Sequence, residues 1–269
     1  MTEHVSLEWD ERRGVTVQMD GLPQSHVQPD DPTLLVFEYV QHLALAIDAW
    51  APPAPSPLTV THVGGAGLTL PRWVEATRPG SPQIVLEPDE ALTALVRREI
   101  PLPRRHRIRV RPQDGVTGVR ALATDSADVF VTDAYARGRV PAELSSAAYG
   151  HDVARVLRPT GLALWCLADE PGLRYVARVL ATVRLALPHV ALIATHDVLK
   201  GKRFGNAVVV AGAAPLPTER LRRDVARAHL PTGLRAGAAL DRIVAGSKPL
   251  DDRGIQSPQP PDARGWRIV

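Results

Sequence analysis

Cysteine is nearly absent from this sequence: Cys166 stands alone, which excludes an internal disulfide and a cysteine-ligated metal cluster. It lies in the apolar run Leu162-Ala-Leu-Trp-Cys-Leu167, the setting of a buried structural thiol rather than a reactive one. Lysine is almost as scarce, at Lys200, Lys202 and Lys248, so arginine carries the basic charge, and the formal net charge is only +3. Aromatic residues make up 4% of the chain, and no Phe, Tyr or Trp interleaves with the arginine-rich stretch from Arg97 to Arg111. The usual base-stacking platform is therefore missing, and no nucleic-acid partner is expected. Within that stretch Arg107, Arg109 and Arg111 alternate with Ile108 and Val110. That is the period of a half-exposed strand, which makes a solvated edge or a partner surface the plainer reading. No apolar run is long enough to cross a bilayer, and the polar start Met1-Thr-Glu-His has no signal-peptide character. A cytoplasmic protein with no membrane partner is expected. The histidines are scattered, with no pair beside a carboxylate at ligand spacing, so no metal is expected.

What the sequence does contain is a regular alternation. Apolar runs suited to strands fall at 58–63, 83–87, 107–111, 127–132 and 161–167, and between them lie stretches with helical spacing at 69–77, 89–99, 116–122, 145–157 and 171–187. This predicts a doubly wound α/β domain with a mainly parallel sheet covered by helices on both faces. Strands near 190–195 and 206–211 read as an antiparallel hairpin closing one edge, and 215–245 as a helix pair. Ahead of this domain, Val15–Met19 alternates, Asp20-Gly21 signals a turn, and Gln24–Val27 can return as a second strand. A helix is predicted over 33–50, and Ala51–Pro57, rich in proline, cannot continue it. The expected organisation is a small β-rich and helical region at 1–50, a linker at 51–57, a nucleoside-binding domain at 58–250 and an extended tail at 251–269.

The chemistry sits where the parallel strands end. Gly64, Gly65 and Gly67 follow the first strand and let a backbone approach a ligand closely. Their spacing departs from the full dinucleotide fingerprint, which disfavours a nicotinamide dehydrogenase. Glu87 follows the second strand, about twenty residues on, where a carboxylate accepts hydrogen bonds from ribose hydroxyls. Asp114-Gly115 follows the third strand and Asp133 the fourth. Asp114 there is suited to an adenine amino group, and Asp133 to orienting or deprotonating an amine. Each acid taken alone also reads as a turn or helix cap; for Glu87 the neighbouring Asp89 is the better-placed cap.

With these residues in place, the chain resembles the spermidine synthase (polyamine aminopropyltransferase) family, and its actinobacterial spermidine-synthase-like branch in particular. The resemblance is carried by Asp20-Gly-Leu-Pro-Gln24, Glu38-Tyr-Val-Gln-His42, Val63-Gly-Gly-Ala-Gly-Leu-Thr-Leu-Pro-Arg72, Val85-Leu-Glu-Pro-Asp89, Gln113-Asp-Gly115, Val131-Thr-Asp133 and Val156-Leu-Arg-Pro-Thr-Gly161. It implies a Rossmann-like, class I methyltransferase-like domain behind a small N-terminal β-rich one, decarboxylated S-adenosylmethionine or its thioether product in the groove, and a small-molecule acceptor; S-adenosylmethionine itself is the cofactor of the methyltransferase alternative. The resemblance also implies a homodimer. Gln24, Glu87 and Asp114 fall on its cofactor side and Asp133 nearest the acceptor, with His42, Tyr135 and Arg137 as candidates to line the acceptor pocket. His42 and Tyr135 read equally well as packing residues.

The departures matter as much. The family's acid within the glycine-rich loop is replaced by Ala66-Gly67-Leu68, and its second acid after the fourth strand by Ala136. The tyrosine before its helix glutamate gives way to Val36 and Phe37. Each buried cation without a carboxylate partner costs several kcal/mol, so polyamine binding is weakened. Arg137 and Arg139 would instead receive a carboxylate or phosphate. Three functions stay open: a family-like transferase with another acceptor, an S-adenosylmethionine-dependent methyltransferase, and a catalytically silent binding or scaffold homologue.

Overall fold

Eleven strands sort into two sheets among the described residues, and the cavity of interest lies where the smaller sheet leans on the larger. The computed structural model describes residues 5–261. The small sheet is antiparallel, with β1 (Val5–Trp9), β2 (Val15–Met19) and β3 (Leu22–Val27) in that order. Asp20 and Gly21 both take positive φ, at 50° and 75°, the geometry of the tight hairpin that the Asp-Gly pair predicts. β1 is a strand the sequence reading missed. Val15 and Val17 point inward from β2 and are fully buried, against Ile100 in one case and Leu92 and Val96 in the other.

The large sheet holds the remaining eight strands in the order β11-β9-β10-β8-β7-β4-β5-β6. β4 (Val60–Val63), β5 (Gln83–Leu86), β6 (Ile108–Arg111), β7 (Ala127–Thr132) and β8 (Leu157–Asp169) run parallel. From Gly161 to Asp169 every residue of β8 is buried, as expected of a strand covered on both faces. Helices α2 (Thr69–Thr77), α3 (Glu90–Glu99), α4 (Gly115–Arg120) and α5 (Ala147–Val156) connect these strands, and α6 (Arg174–Val183) follows β8. Two apolar cores follow, one on each face of the sheet.

Several expectations change. The N-terminal helix α1 (Glu38–Trp50) begins at Glu38, not at residue 33. Its stripe of Val40, Leu43, Ala44 and Ile47, spaced for one helical face, packs on the large sheet and not on the small one. β9 (His189–Thr195) and β10 (Gly205–Gly212) are antiparallel as expected, but β10 inserts between β8 and β9 and does not close the edge. The short helix α7 (His196–Leu199) lies between them in sequence. The edge is β11 (Thr232–Ala236), a strand that interrupts the predicted helix pair between α8 (Thr218–Ala226) and α9 (Ala238–Val244). Among the described residues no helix is long and apolar enough to cross a membrane. The last residues of the expected tail, 262–269, lie outside the described residues.

Candidate active site

The parallel register places the ends of β4, β5 and β7 side by side, with Val63 opposite Leu86 on one flank and Thr132 on the other. The residues just beyond these positions converge on a cavity of about 270 Å³. Its lining includes Gln24, Gly64, Gly65, Glu87, Asp114, Gly115, Asp133 and Tyr135. Side chains from four strand ends and from the small sheet thus meet in one place, the position at which open α/β sheets take ligands.

Close packing dictates the glycines. Gly64 has φ +93°, and a Cβ there would collide with the carbonyl oxygen of Asp133. At Gly65 a Cβ would come within 3.1 Å of Val85 Cγ1 and 3.2 Å of Glu87 Cβ. Gly67 serves a different purpose: it faces Ser25, whose Oγ accepts the Gly67 N–H at 2.8 Å. It does not line the cavity but docks the small sheet onto the loop. Thr69 adds a second tie, its hydroxyl donating to the His26 carbonyl at 2.9 Å. Arg72, at the loop's far end, is buried and donates to the carbonyls of Gly67, Ile100 and Pro101; burial lowers its pKa to about 10.

Glu87 is held firmly. Oε2 accepts the Gly65 N–H at 2.9 Å and the Ala66 N–H at 3.4 Å, and Oε1 accepts the Asp89 N–H at 3.0 Å. A carboxylate has about four acceptor positions, so capacity for a diol remains. Asp89 caps α3 by accepting the Leu92 N–H at 2.8 Å, as the sequence suggested. Asp114 lines the cavity and also caps α4, accepting the Val116 and Thr117 N–H groups at 3.0 and 2.9 Å. Those bonds, Thr117's first, hold its pKa below the usual value and keep it ionised.

Asp133 has the opposite environment. Its Oδ1 is sealed from solvent and has no protein partner. Burial raises the carboxyl pKa to about 7, against a smaller downward pull from the Cys166 thiol. Behind it the Tyr135 hydroxyl stands 3.4 Å from the Cys166 sulfur, and also 3.4 Å from Asn206 Oδ1. Burial lifts the Cys166 pKa well above the ordinary thiol value, with the Asp133 charge adding to it, so this thiol is inert as the sequence implied. Tyr39, which the sequence reading passed over, lines the cavity from α1 and donates to the Gln24 carbonyl at 3.3 Å. Glu143, also missed, reaches the lining from the turn Ala142–Ser145.

Two of the sequence candidates stand elsewhere. His42 is buried against β11, with Nε2 3.1 Å from the Thr232 hydroxyl, and burial lowers its pKa to about 4. Arg137 is exposed in a turn and does not line the cavity. Arg139 turns away as well, its Nε donating to the Ser257 carbonyl at 2.6 Å. No arginine of this turn is therefore placed to receive an anionic acceptor in the cavity. Among the described residues no three His, Cys, Asp or Glu side chains gather as a metal site would require.

Fold and site together define the class: a methyltransferase-like Rossmann domain preceded by a small antiparallel sheet, with acids at its switch point. Within that class the chain resembles the spermidine synthases. A probable spermidine synthase from Corynebacterium glutamicum is 26% identical, covers 96% of both chains and superposes with a TM-score of 0.85. The spermidine synthase of Thermotoga maritima shares the fold at 15% identity and a TM-score of 0.58, over 84% of this chain and 75% of its own. Human methyltransferase-like protein 13 shares it at 18% identity and 0.57, over 80% of this chain and 96% of its own. No family model matches the sequence, and no curated protein matches it.

Proposed function

We propose that this protein is a spermidine-synthase-like transferase that binds an adenosyl sulfonium cofactor and moves a group from it onto a small acceptor beside Asp133. The observation that carries the reading is the contrast between acids in one cavity. Glu87 and Asp114 are held by backbone N–H groups, while Asp133 lines the same cavity with its Oδ1 sealed and unpartnered, and burial raises its pKa to about 7. Two tethered acids suit binding, and one poised near neutrality suits proton transfer.

The residues present fit an adenosyl group. Glu87 would accept the ribose hydroxyls, Asp114 would hold the base, and Gly64 and Gly65, which line the cavity without side chains, would leave their backbone open to the ligand. The ligands recorded for proteins of this fold agree in kind. One spermidine synthase was solved with the transition-state analogue AdoDATO, and human methyltransferase-like protein 13 with SAH. When bound, an adenosyl sulfonium supplies an electrophilic carbon attached to a positively charged sulfur. The Asp133 carboxylate, which lines the cavity, accepts a hydrogen bond from the acceptor's nitrogen, aims its lone pair and takes up its proton. Tyr39 and Tyr135 wall this end of the cavity and exclude water.

The sequence departures disfavour a polycation, because the family's acids at the glycine loop and after the fourth strand are replaced by Ala66-Gly67-Leu68 and Ala136, although Glu143 joins Asp133 in the lining. An acceptor with fewer amino groups than a polyamine suits that lining. Transfer of methyl from intact S-adenosylmethionine is the second reading: the same fold and the Glu87 and Asp114 pair serve it, although Ala66-Gly67-Leu68 offers no acid to that cofactor's amino group either. The test is product analysis by mass spectrometry after incubation with each cofactor and a panel of monoamines, diamines and polyamines. Release of methylthioadenosine marks aminopropyl transfer, and S-adenosylhomocysteine marks methyl transfer. If neither thioether forms with any acceptor, the transferase reading fails.

A further inference from the structure

The chain between β7 and the turn Ala142–Ser145 forms one rim of the cavity, with Ala136 and Pro141 among its lining. This rim folds back on itself as a small hairpin. Ala136 N donates to Arg139 O at 2.8 Å, and Arg139 N to Ala136 O at 3.1 Å. Arg137 and Gly138, at its tip, have φ of +50° and +73°. Two consecutive positive φ values suit a two-residue hairpin turn, but an arginine there is strained and needs support from its surroundings.

The support comes from the C-terminal segment, far along the chain. Ser257, which is fully buried, lies against the outer side of the rim. Its Oγ accepts the Val140 N–H at 2.9 Å, its own N–H donates to Val140 O at 3.3 Å, and its carbonyl accepts from Arg139 Nε at 2.6 Å. The segment is anchored on both sides of this point. Upstream, Asp251 O accepts the Ala147 N–H at 3.4 Å and the Ile255 N–H donates to Ser145 Oγ at 3.1 Å. Downstream, Pro260 packs on the tip, so that a Cβ at Gly138 would lie 3.1 Å from Pro260 Cγ. Leu22 of the small sheet meets the same tip, 3.7 Å from that position.

We propose that residues 251–261 act as a strap that holds the acceptor-side rim in its closed shape, with Ser257 as the positioning residue. Through Ser257 the strap holds Arg139 and Val140, on the rim next to Asp133, and none of the bonds above reaches the glycine loop or Glu87. Loss of Ser257 therefore falls on that rim, while the Ser145 tie, beside the Leu144 that packs on Gly115, stays in place. The consequence for the acceptor rests on the transferase reading given above; the consequence for the rim's order does not.

The test compares the wild-type full chain with Ser257→Ala and with a chain ending at Gly254. Hydrogen exchange by mass spectrometry reads the rim directly. Loss of the buried hydroxyl should speed exchange in residues 134–141, Val140 above all, by about 10-fold, a typical consequence of removing one buried hydrogen bond. Exchange in 60–67 and 83–87 should stay as in the wild type. Unchanged exchange across 134–141 in Ser257→Ala would overturn the strap, even if the shorter chain fails to fold. With an active acceptor in hand, the acceptor KM should rise by about 10-fold while kcat and adenosyl affinity stay within about 3-fold. An equal loss of adenosyl affinity would overturn the positioning role and leave general destabilisation. A wild-type chain that binds no adenosyl ligand would refute the transferase reading alone, because the exchange result is read without any ligand.

Discussion

Asp133→Asn should make this protein more stable above neutral pH, and the size of the gain follows from the carboxyl's environment. In the unfolded chain the carboxyl loses its proton near the ordinary value of 3.8, whereas in the folded chain burial keeps the proton on until about pH 7. Between those two points the folded state binds more protons than the unfolded one, so stability falls as pH rises through the window. At 1.36 kcal/mol per pH unit the full cost reaches about 4 kcal/mol above pH 7, and about 2–4 kcal/mol after allowance for relaxation around the site. Below pH 4 both states are protonated and the cost vanishes. Asparagine keeps the shape and cannot ionise. For a chain of this length each kcal/mol moves the melting point by about 2 °C, so the variant should melt about 4–8 °C above wild type at pH 8. The two should converge near pH 4, and turnover by the variant should be lost. Thermal unfolding across this pH range measures it. A difference that does not vary with pH, or a variant less stable than wild type at pH 8, would show that Asp133 is not the buried, uncompensated acid described here.

Three further outcomes follow from the same geometry. Cys166→Ala removes the thiol that pulls the Asp133 pKa down, so the acidic limb of the rate profile, where activity rises with pH through about 7, should move to higher pH; a profile that stays put or moves lower would count against the Cys166–Asp133 contact. Gly64→Ala must relieve both a φ of +93° and a clash with the Asp133 carbonyl, and should cost about 2–3 kcal/mol in chemical denaturation along with ligand binding. His42→Ala should lower stability by about 1–3 kcal/mol through the lost packing and Thr232 contact while leaving ligand affinity unchanged, and calorimetry that shows weakened binding would return His42 to the site.

The parallel half of the fold was legible because its strands end in chemistry. Val85-Leu-Glu87 and Val131-Thr-Asp133 couple a buried run to an acid, and the register then brings those ends together. β1 and β11 were not legible. Thr232-Gly-Leu-Arg-Ala236 has no clean alternation, and it is a strand only because β9 offers it an edge. The acids Glu87, Asp114 and Asp133 were readable as a set, and the Asp114 cap is local; the Gly65 tether of Glu87 and the sealing of Asp133 depend on neighbours from other segments. Tyr39 and Glu143 carry no local signal, since the fold alone brings α1 and the Ala142–Ser145 turn to the cavity. His42 lies one turn beyond Tyr39 on α1, far enough along the axis to meet β11 instead. The Ser257 contact spans more than a hundred residues of sequence, and no pattern near residue 140 announces it.

The most direct measurement is a calorimetric titration of the purified chain with decarboxylated S-adenosylmethionine, S-adenosylmethionine and methylthioadenosine, repeated with Glu87→Gln. The account predicts saturable one-to-one binding of at least one of the three to wild type, and binding weakened about 10-fold or more in the variant as a charge-assisted hydrogen bond to the ribose is lost. No heat of binding with any of them, or binding that Glu87→Gln leaves untouched, would contradict an adenosyl site at the ends of these strands.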